Sequence, residues 1–189
     1  MFIKKILNKI NELGLKNFYK HSIDFIKIKY KMRKGYFIHK TAKIENKKNI
    51  FLGKNAEIQE YVIIRAHHSK VIIGNNSQIN PFTVIYGFNN IHIGDDVMIA
   101  PHCMIVSGNH DYKQIDKPMR HAKEFSKGDI IIGNGAWIGA NCTITDGVKI
   151  GANAVVAANS VVLNDIGEYD VFAGCPAKFV YNRKIKFKS

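Results

Sequence analysis

The stretch Ile132-Gly-Asn-Gly-Ala-Trp137-Ile138-Gly-Ala-Asn-Cys142-Thr-Ile144-Thr-Asp-Gly-Val-Lys-Ile150-Gly-Ala-Asn-Ala-Val-Val156 carries a branched aliphatic residue at every sixth position. Val162 continues the series. Before it run Ile38 and Ile44, then Leu52, Ile58 and Ile64, then Ile73, Ile79 and Ile85, then Ile93, Ile99 and Ile105. Two positions ahead of most of these stands a small or β-branched residue: Ala56, Val62, Ser77, Thr83, Val97, Cys103, Ala136, Cys142, Val148, Ala154 or Ser160. A six-residue unit is one short strand plus a turn, and three units make one triangular coil, so the period predicts a parallel β-helix. The large and the small residue of each unit point inward, where stacked coils bury them in a continuous core. Gly and Asn after the strands suit turn positions with positive φ. Successive triplets are slightly longer than three units, 21 residues from Leu52 to Ile73 and 20 from Ile73 to Ile93, which places small insertions at the corners.

The series breaks once. Between Ile105 and Ile132 lie 27 residues where six would serve, and the excess forms a polar insertion over 107–128 that begins Ser107-Gly-Asn-His110-Asp111-Tyr112. A repeat scaffold with one long insertion generally uses it for function. His110 stands at its root, close to rigid structure, where a catalytic group is held well.

The chain of 189 residues is 46% apolar and 23% charged, which is globular balance and not that of a disordered chain. Its longest apolar run is five residues, 154–158, too short to span a bilayer. No small-residue cleavage site follows the lysine-interrupted start, so a secretory leader is not expected. Three cysteines without CxxC spacing exclude a disulfide framework and a zinc ribbon, and point to a reducing, cytoplasmic location. Cys103 and Cys142 fall in the small inward slot, as buried thiols. Residues 1–36 hold ten Lys or Arg against Glu12 and Asp24, +8 of the total +13. Phe2, Ile3, Ile6, Leu7, Ile10 and Leu13 recur there at helical steps. The organisation expected is therefore a basic amphipathic segment over 1–36, a β-helix over 37–166, and a basic tail over 167–189. The first segment packs on the body or meets an anionic membrane at its inner face. No recognition motif accompanies its charge, so no nucleic acid is expected.

The hexads, the insertion, Ile132 to Gly139, and the ending Ala173-Gly-Cys-Pro-Ala-Lys178 together resemble the hexapeptide-repeat acyltransferases, in the branch of galactoside, maltose, capsule and lipopolysaccharide O-acetyltransferases. The resemblance implies a left-handed winding, acetyl-CoA as acetyl donor, no metal, and a homotrimer whose sites lie between subunits. It implies His110 as the catalytic base, with Asn80 and Asp111 as acceptor contacts. Trp137, Gly139, Ala140, Ala158, Lys178 and Arg183 are the implied coenzyme contacts: Trp137 on the acyl and pantetheine tunnel, Ala140 at the thioester, Ala158 at the pantetheine arm, Lys178 near the phosphates. Leu163, Asn164 and Tyr181 depart from the family pattern at the nucleotide end, where Arg183, Lys184 and Lys186 stand as replacement charge. The implied reaction is direct acetyl transfer to a sugar hydroxyl, of a cell-surface polysaccharide or its precursor. An imidazole titrating near neutrality can take the hydroxyl proton during attack.

Two other readings stand beside it. An amino-sugar N-acetyltransferase could use the same base and tunnel, and a hexapeptide scaffold could only assemble with partners. A scaffold needs none of His110, Asn80 and Trp137. A three-histidine zinc site like that of the γ-type carbonic anhydrases needs a convergent HxxxxH pair, and this sequence has none. His92 and His102 are expected on solvent-facing coils, His121 on the insertion.

Overall fold

In the computed structural model, which describes residues 35–185, the six-residue period becomes a parallel β-helix. The segment expected over 1–36 lies almost wholly outside the described residues. Three sheets form the walls. The first face stacks Phe37–Ile38, Glu57–Ile58, Gln78–Ile79, Met98–Ile99, Trp137–Ile138, Val155–Val156 and Asp170–Ala173 as parallel rungs. The second stacks Lys43–Glu45, Ile63–Ala66, Val84–Gly87, Met104–Val106, Thr143–Ile144 and Val161–Val162. The third stacks Ile50–Leu52, Val71–Ile73, Ile91–Ile93, Ile130–Ile132 and Lys149–Ile150.

Register explains why the hexads must be isoleucine and valine. Ile58, Ile79, Ile99, Ile138 and Val156 are direct partners up the first face, so one column of β-branched side chains fills the interior without a gap. Ile64, Ile85, Ile105, Ile144 and Val162 do the same on the second face, and Ile73, Ile93, Ile132 and Ile150 on the third. All are buried. The small slots lie where the chain turns and the prism narrows, and their polar occupants are satisfied: Ser77 Oγ, for instance, donates to Gly94 O at 2.7 Å. Among the described residues no buried side-chain nitrogen or oxygen lacks a partner.

The third–first and first–second edges hold a residue in the left-handed region on most coils. On the third–first edge these are Asn55, Asn76, Asp96, Gly135 and Asn153, the residue types expected, and then Tyr169 at φ 62°. On the first–second edge the lower three are Tyr61, Phe82 and His102, at φ 56°, 62° and 62°, followed by Asn141 and Asn159. Bulky residues rarely adopt this conformation. Here their rings stack in one column, with centroids 5.1 and 4.9 Å apart. At the C-terminal end, Asp170–Ala173 caps the first face, and Lys178–Asn182 folds back antiparallel on it.

Candidate active site

The insertion is a hairpin on a closed root. Chain exit and return meet where Ser126 Oγ donates to Ser107 O at 2.7 Å, and Ser107 Oγ accepts from the Phe88 and Asn89 N–H groups. Buried Asp146 on the next coil accepts from Lys127 N at 2.6 Å. Sequence reading missed these anchors; the signal available was the pair of serines flanking the break. Above the root, Asn109–His110 pairs antiparallel with Glu124–Phe125.

His110 is exposed, and its Nδ1 lies 3.5 Å from Ala122 O. A carbonyl only accepts, so this contact favours the tautomer with its hydrogen on Nδ1 and the Nε2 lone pair free, the form a general base needs. Asp111 is spent locally: its Oδ1 accepts from Lys113 N at 3.1 Å, closing the turn after the histidine, while its own N–H donates to Lys123 O. That geometry gives Asp111 the task of shaping the hairpin.

The remaining residues fall on the body. Asn80, Gly139, Ala140 and Ala158 share the first–second edge. Asn80 stands two rungs below Gly139, about 10 Å at strand spacing. Its Nδ2 donates to Ile99 O at 2.8 Å. Gly139 is fixed by contact, since a Cβ there would lie 2.5 Å from Ala158 N. Trp137 projects from the first face beside this edge, 46% exposed, in an outward column with Met98 below and Val155 above. Lys178 pairs with Ala173 and sits toward the same edge. Arg183 does not: its Nη1 donates to Asn153 O at 2.8 Å on the third–first edge, and Lys184 Nζ stands 3.9 Å over the Tyr169 ring there. The two charges sit across the first face from Ala158. Nor does His110 join Asn80 and Ala140 within one chain, because its hairpin leaves the second–third edge, with the whole second face between.

Among the described residues no three His, Cys, Asp or Glu side chains converge as a metal site. His92 is outward on the third face, 4.0 Å from the Asp129 carboxylate. His102 is a corner residue, and His121 lies on the insertion.

The family profile described as bacterial transferase hexapeptide (six repeats) matches residues 129–164. A hexapeptide-repeat-containing acetyltransferase from Vibrio cholerae O1 biovar eltor, solved with acetyl-coenzyme A, is 31% identical, superposes with a TM-score of 0.65, and is covered over 74% of its chain by 74% of this one. The chain belongs to the hexapeptide-repeat acetyltransferases. The putative lipopolysaccharide biosynthesis O-acetyl transferase WbbJ of Escherichia coli K12 is 33% identical over 124 residues, 61% of this chain and 63% of that protein. The N-acyltransferase AntD from Bacillus cereus, solved with dTDP and 3-hydroxybutyryl-CoA, is 25% identical with a TM-score of 0.71, over 82% of this chain and 88% of its own. The chain spans 51–63% of the length of the first curated relatives it matches. Among the described residues, no helix is long and apolar enough to cross a membrane.

Proposed function

We propose that the protein transfers an acetyl group from acetyl-CoA to a sugar, at a hydroxyl, with His110 as general base. The observation that carries this is the His110 ring, turned by Ala122 O to expose Nε2 on a hairpin rooted in the coil, in a family whose members bind acetyl-CoA. The acceptor oxygen attacks the thioester carbonyl carbon as Nε2 takes its proton. The tetrahedral oxyanion that forms is met by the Ala140 N–H. Collapse breaks the C–S bond, and the imidazolium returns the proton to the departing thiolate. A positioned base of this kind contributes roughly 10²–10⁴-fold.

One chain does not hold all the parts. Since His110 and the Asn80–Ala140–Ala158 edge lie on different edges, a closed threefold assembly that sets the hairpin of one subunit against the edge of the next completes the site. Met98 and Trp137, 43% and 46% exposed, would line that groove beside the thioester. Lys178 supplies charge for the coenzyme phosphates, and Arg183 serves a nucleotide lying across the first face. The acceptor reading follows WbbJ, and places the protein with cell-surface polysaccharide synthesis. The basic residues 1–36, largely outside the described structure, supply contact with an anionic inner membrane face. Deleting them is expected to release the protein from anionic vesicles in flotation, and unchanged flotation removes that role.

His110→Ala is the test of the base: the variant keeps its oligomer in light scattering and its affinity for acetyl-CoA, while turnover falls by roughly 10²–10⁴-fold. Near-normal turnover overturns the assignment. The likeness to AntD favours a second reading, acylation of a sugar amine. Mild alkali distinguishes the two, because it strips an O-acetyl ester from the product and leaves an N-acetyl amide.

A further inference from the structure

The position just before each left-handed corner residue carries a peptide whose orientation decides whether an N–H faces out. On the third–first edge this is visible in full. Inward Ser77 Oγ takes up Gly94 O at 2.7 Å, and the N–H of the same trans peptide, on Asp95, points the opposite way and donates to Asn134 Oδ1 at 2.9 Å. The rungs below repeat the outer half: Asn75 N donates to Asp95 Oδ1 and Lys54 N to Asn75 Oδ1. In these three coils each outward N–H is thus closed by a side chain one coil up, whereas Asn134 and Ala152, higher on the same edge, donate to none among the described residues.

The first–second edge has the same inward half and a different outer one. Thr83 Oγ1 donates to Ala100 O at 3.2 Å, Cys103 Sγ to Gly139 O at 3.1 Å, and Cys142 Sγ to Ala157 O at 3.0 Å. For Cys103 this is the nearer of two carbonyls, Pro101 O lying at 3.9 Å. The next residue in each case is Pro101, Ala140 or Ala158. Proline has no N–H, so the lower rung presents nothing. Ala140 and Ala158 do have one, and among the described residues neither donates to any acceptor. Both are at least partly exposed, and the residue one coil above Ala140 in the same slot is Ala158, which has no side-chain acceptor to close it.

We infer that Cys103 and Cys142 are positioning residues, whose buried thiols pull the Gly139 and Ala157 carbonyls inward and so aim the Ala140 and Ala158 N–H groups outward at the acyl thioester and the pantetheine arm. This rests on the proposed acetyl transfer and extends it to core residues that touch neither substrate. The slot tolerates alanine elsewhere, at Ala136 and Ala154, so Cys103→Ala is expected to fold.

The experiment compares wild type, Cys103→Ala and Cys103→Ser by steady-state acetyl transfer from acetyl-CoA to a glycan acceptor, well below the melting temperature and per folded protein. Complete loss of an oxyanion donor lowers kcat by about 10²–10³-fold; loosening its peptide is expected to lower it about 10-fold in Cys103→Ala, with KM values within about twofold. Cys103→Ser, which restores a donor, is expected to recover most of that kcat. A packing role alone would lower the melting temperature of both variants and leave kcat unchanged. Full kcat in Cys103→Ala, or a serine variant as slow as the alanine one, overturns the inference. A wild type that transfers acetyl to no acceptor overturns the proposed function as well, whereas an active wild type with an unaffected Cys103→Ala overturns only the role of the thiol.

Discussion

The lower coils of the third–first and first–second edges of this prism are built on one backbone plan and solve it differently. On the third–first edge, Lys54, Asn75 and Asp95 have their outward N–H groups closed by Asn75, Asp95 and Asn134, and a second ladder of Asn55, Asn76 and Asp96 runs beside it. That stretch uses its polar groups on itself. On the first–second edge the equivalent positions are Pro81, Pro101, Ala140 and Ala158, and the corner residues are rings that stack on one another. Pro81 and Pro101 remove the N–H from two coils of that edge, and Ala140 and Ala158 leave it open, as Asn134 and Ala152 do on the other. A backbone donor that the fold does not consume is available to a ligand, and a self-closed ladder is not.

The comparison breaks most visibly at Ala140. Ala140→Pro deletes one N–H where the same slot already holds Pro81 and Pro101, so the protein is expected to fold and to lose about 10²–10³-fold in acetyl transfer. Circular dichroism and turnover together check it, and full turnover would assign the open amide no role. Next comes the core that both edges share. Ile138→Ala, in the fully buried first-face column, is expected to cost about 2–5 kcal/mol in denaturant unfolding, and Ile131→Ala, outward on the third face and 40% exposed, far less. Comparable losses would mean the hexad phase is misread. On the self-closed lower coils, Asn75→Ala removes the partner of Lys54 N and is expected to cost about 0.5–1.5 kcal/mol with kcat unchanged, because no substrate meets those coils in the proposed reaction. A slower enzyme would sink the separation of roles.

The smallest effect concerns Glu45 on the second face. Hydrogen bonds from Arg65, then from Lys43, hold its carboxyl down from the ordinary 4.5 to about 2. A depressed folded-state value means the pair stabilises above pH 4.5, and its contribution drains away as pH falls toward 2. The group is partly open to solvent, so screening keeps the effect small. The melting-temperature gap between wild type and Glu45→Gln is expected to narrow through that window, and a gap independent of pH would contradict the pairing.

Much of this was legible in the residues. The β-helix follows from isoleucine phase alone, the burial of Cys103 and Cys142 from their slot, and the position of the inserted hairpin from the one place where the phase fails. The left-handed aromatics Tyr61, Phe82 and His102 were not legible, because corner rules rest on single-residue preference and these three are held by stacking between coils about 20 residues apart. The seventh rung, Asp170–Ala173, was hidden for a related reason: after Val162 the six-residue spacing stops, and only pairing with Val155–Val156 identifies the strand.

Sequence by itself determined which side chains face in, since a strict period leaves one arrangement that buries every large aliphatic residue. What the tertiary structure alone decided is direction at the edges. Whether a corner N–H points at a neighbouring asparagine or into solvent depends on what the adjacent coil places beside it, and that neighbour is distant along the chain. The Ala122 carbonyl likewise reaches the His110 ring only because a return strand brings it there.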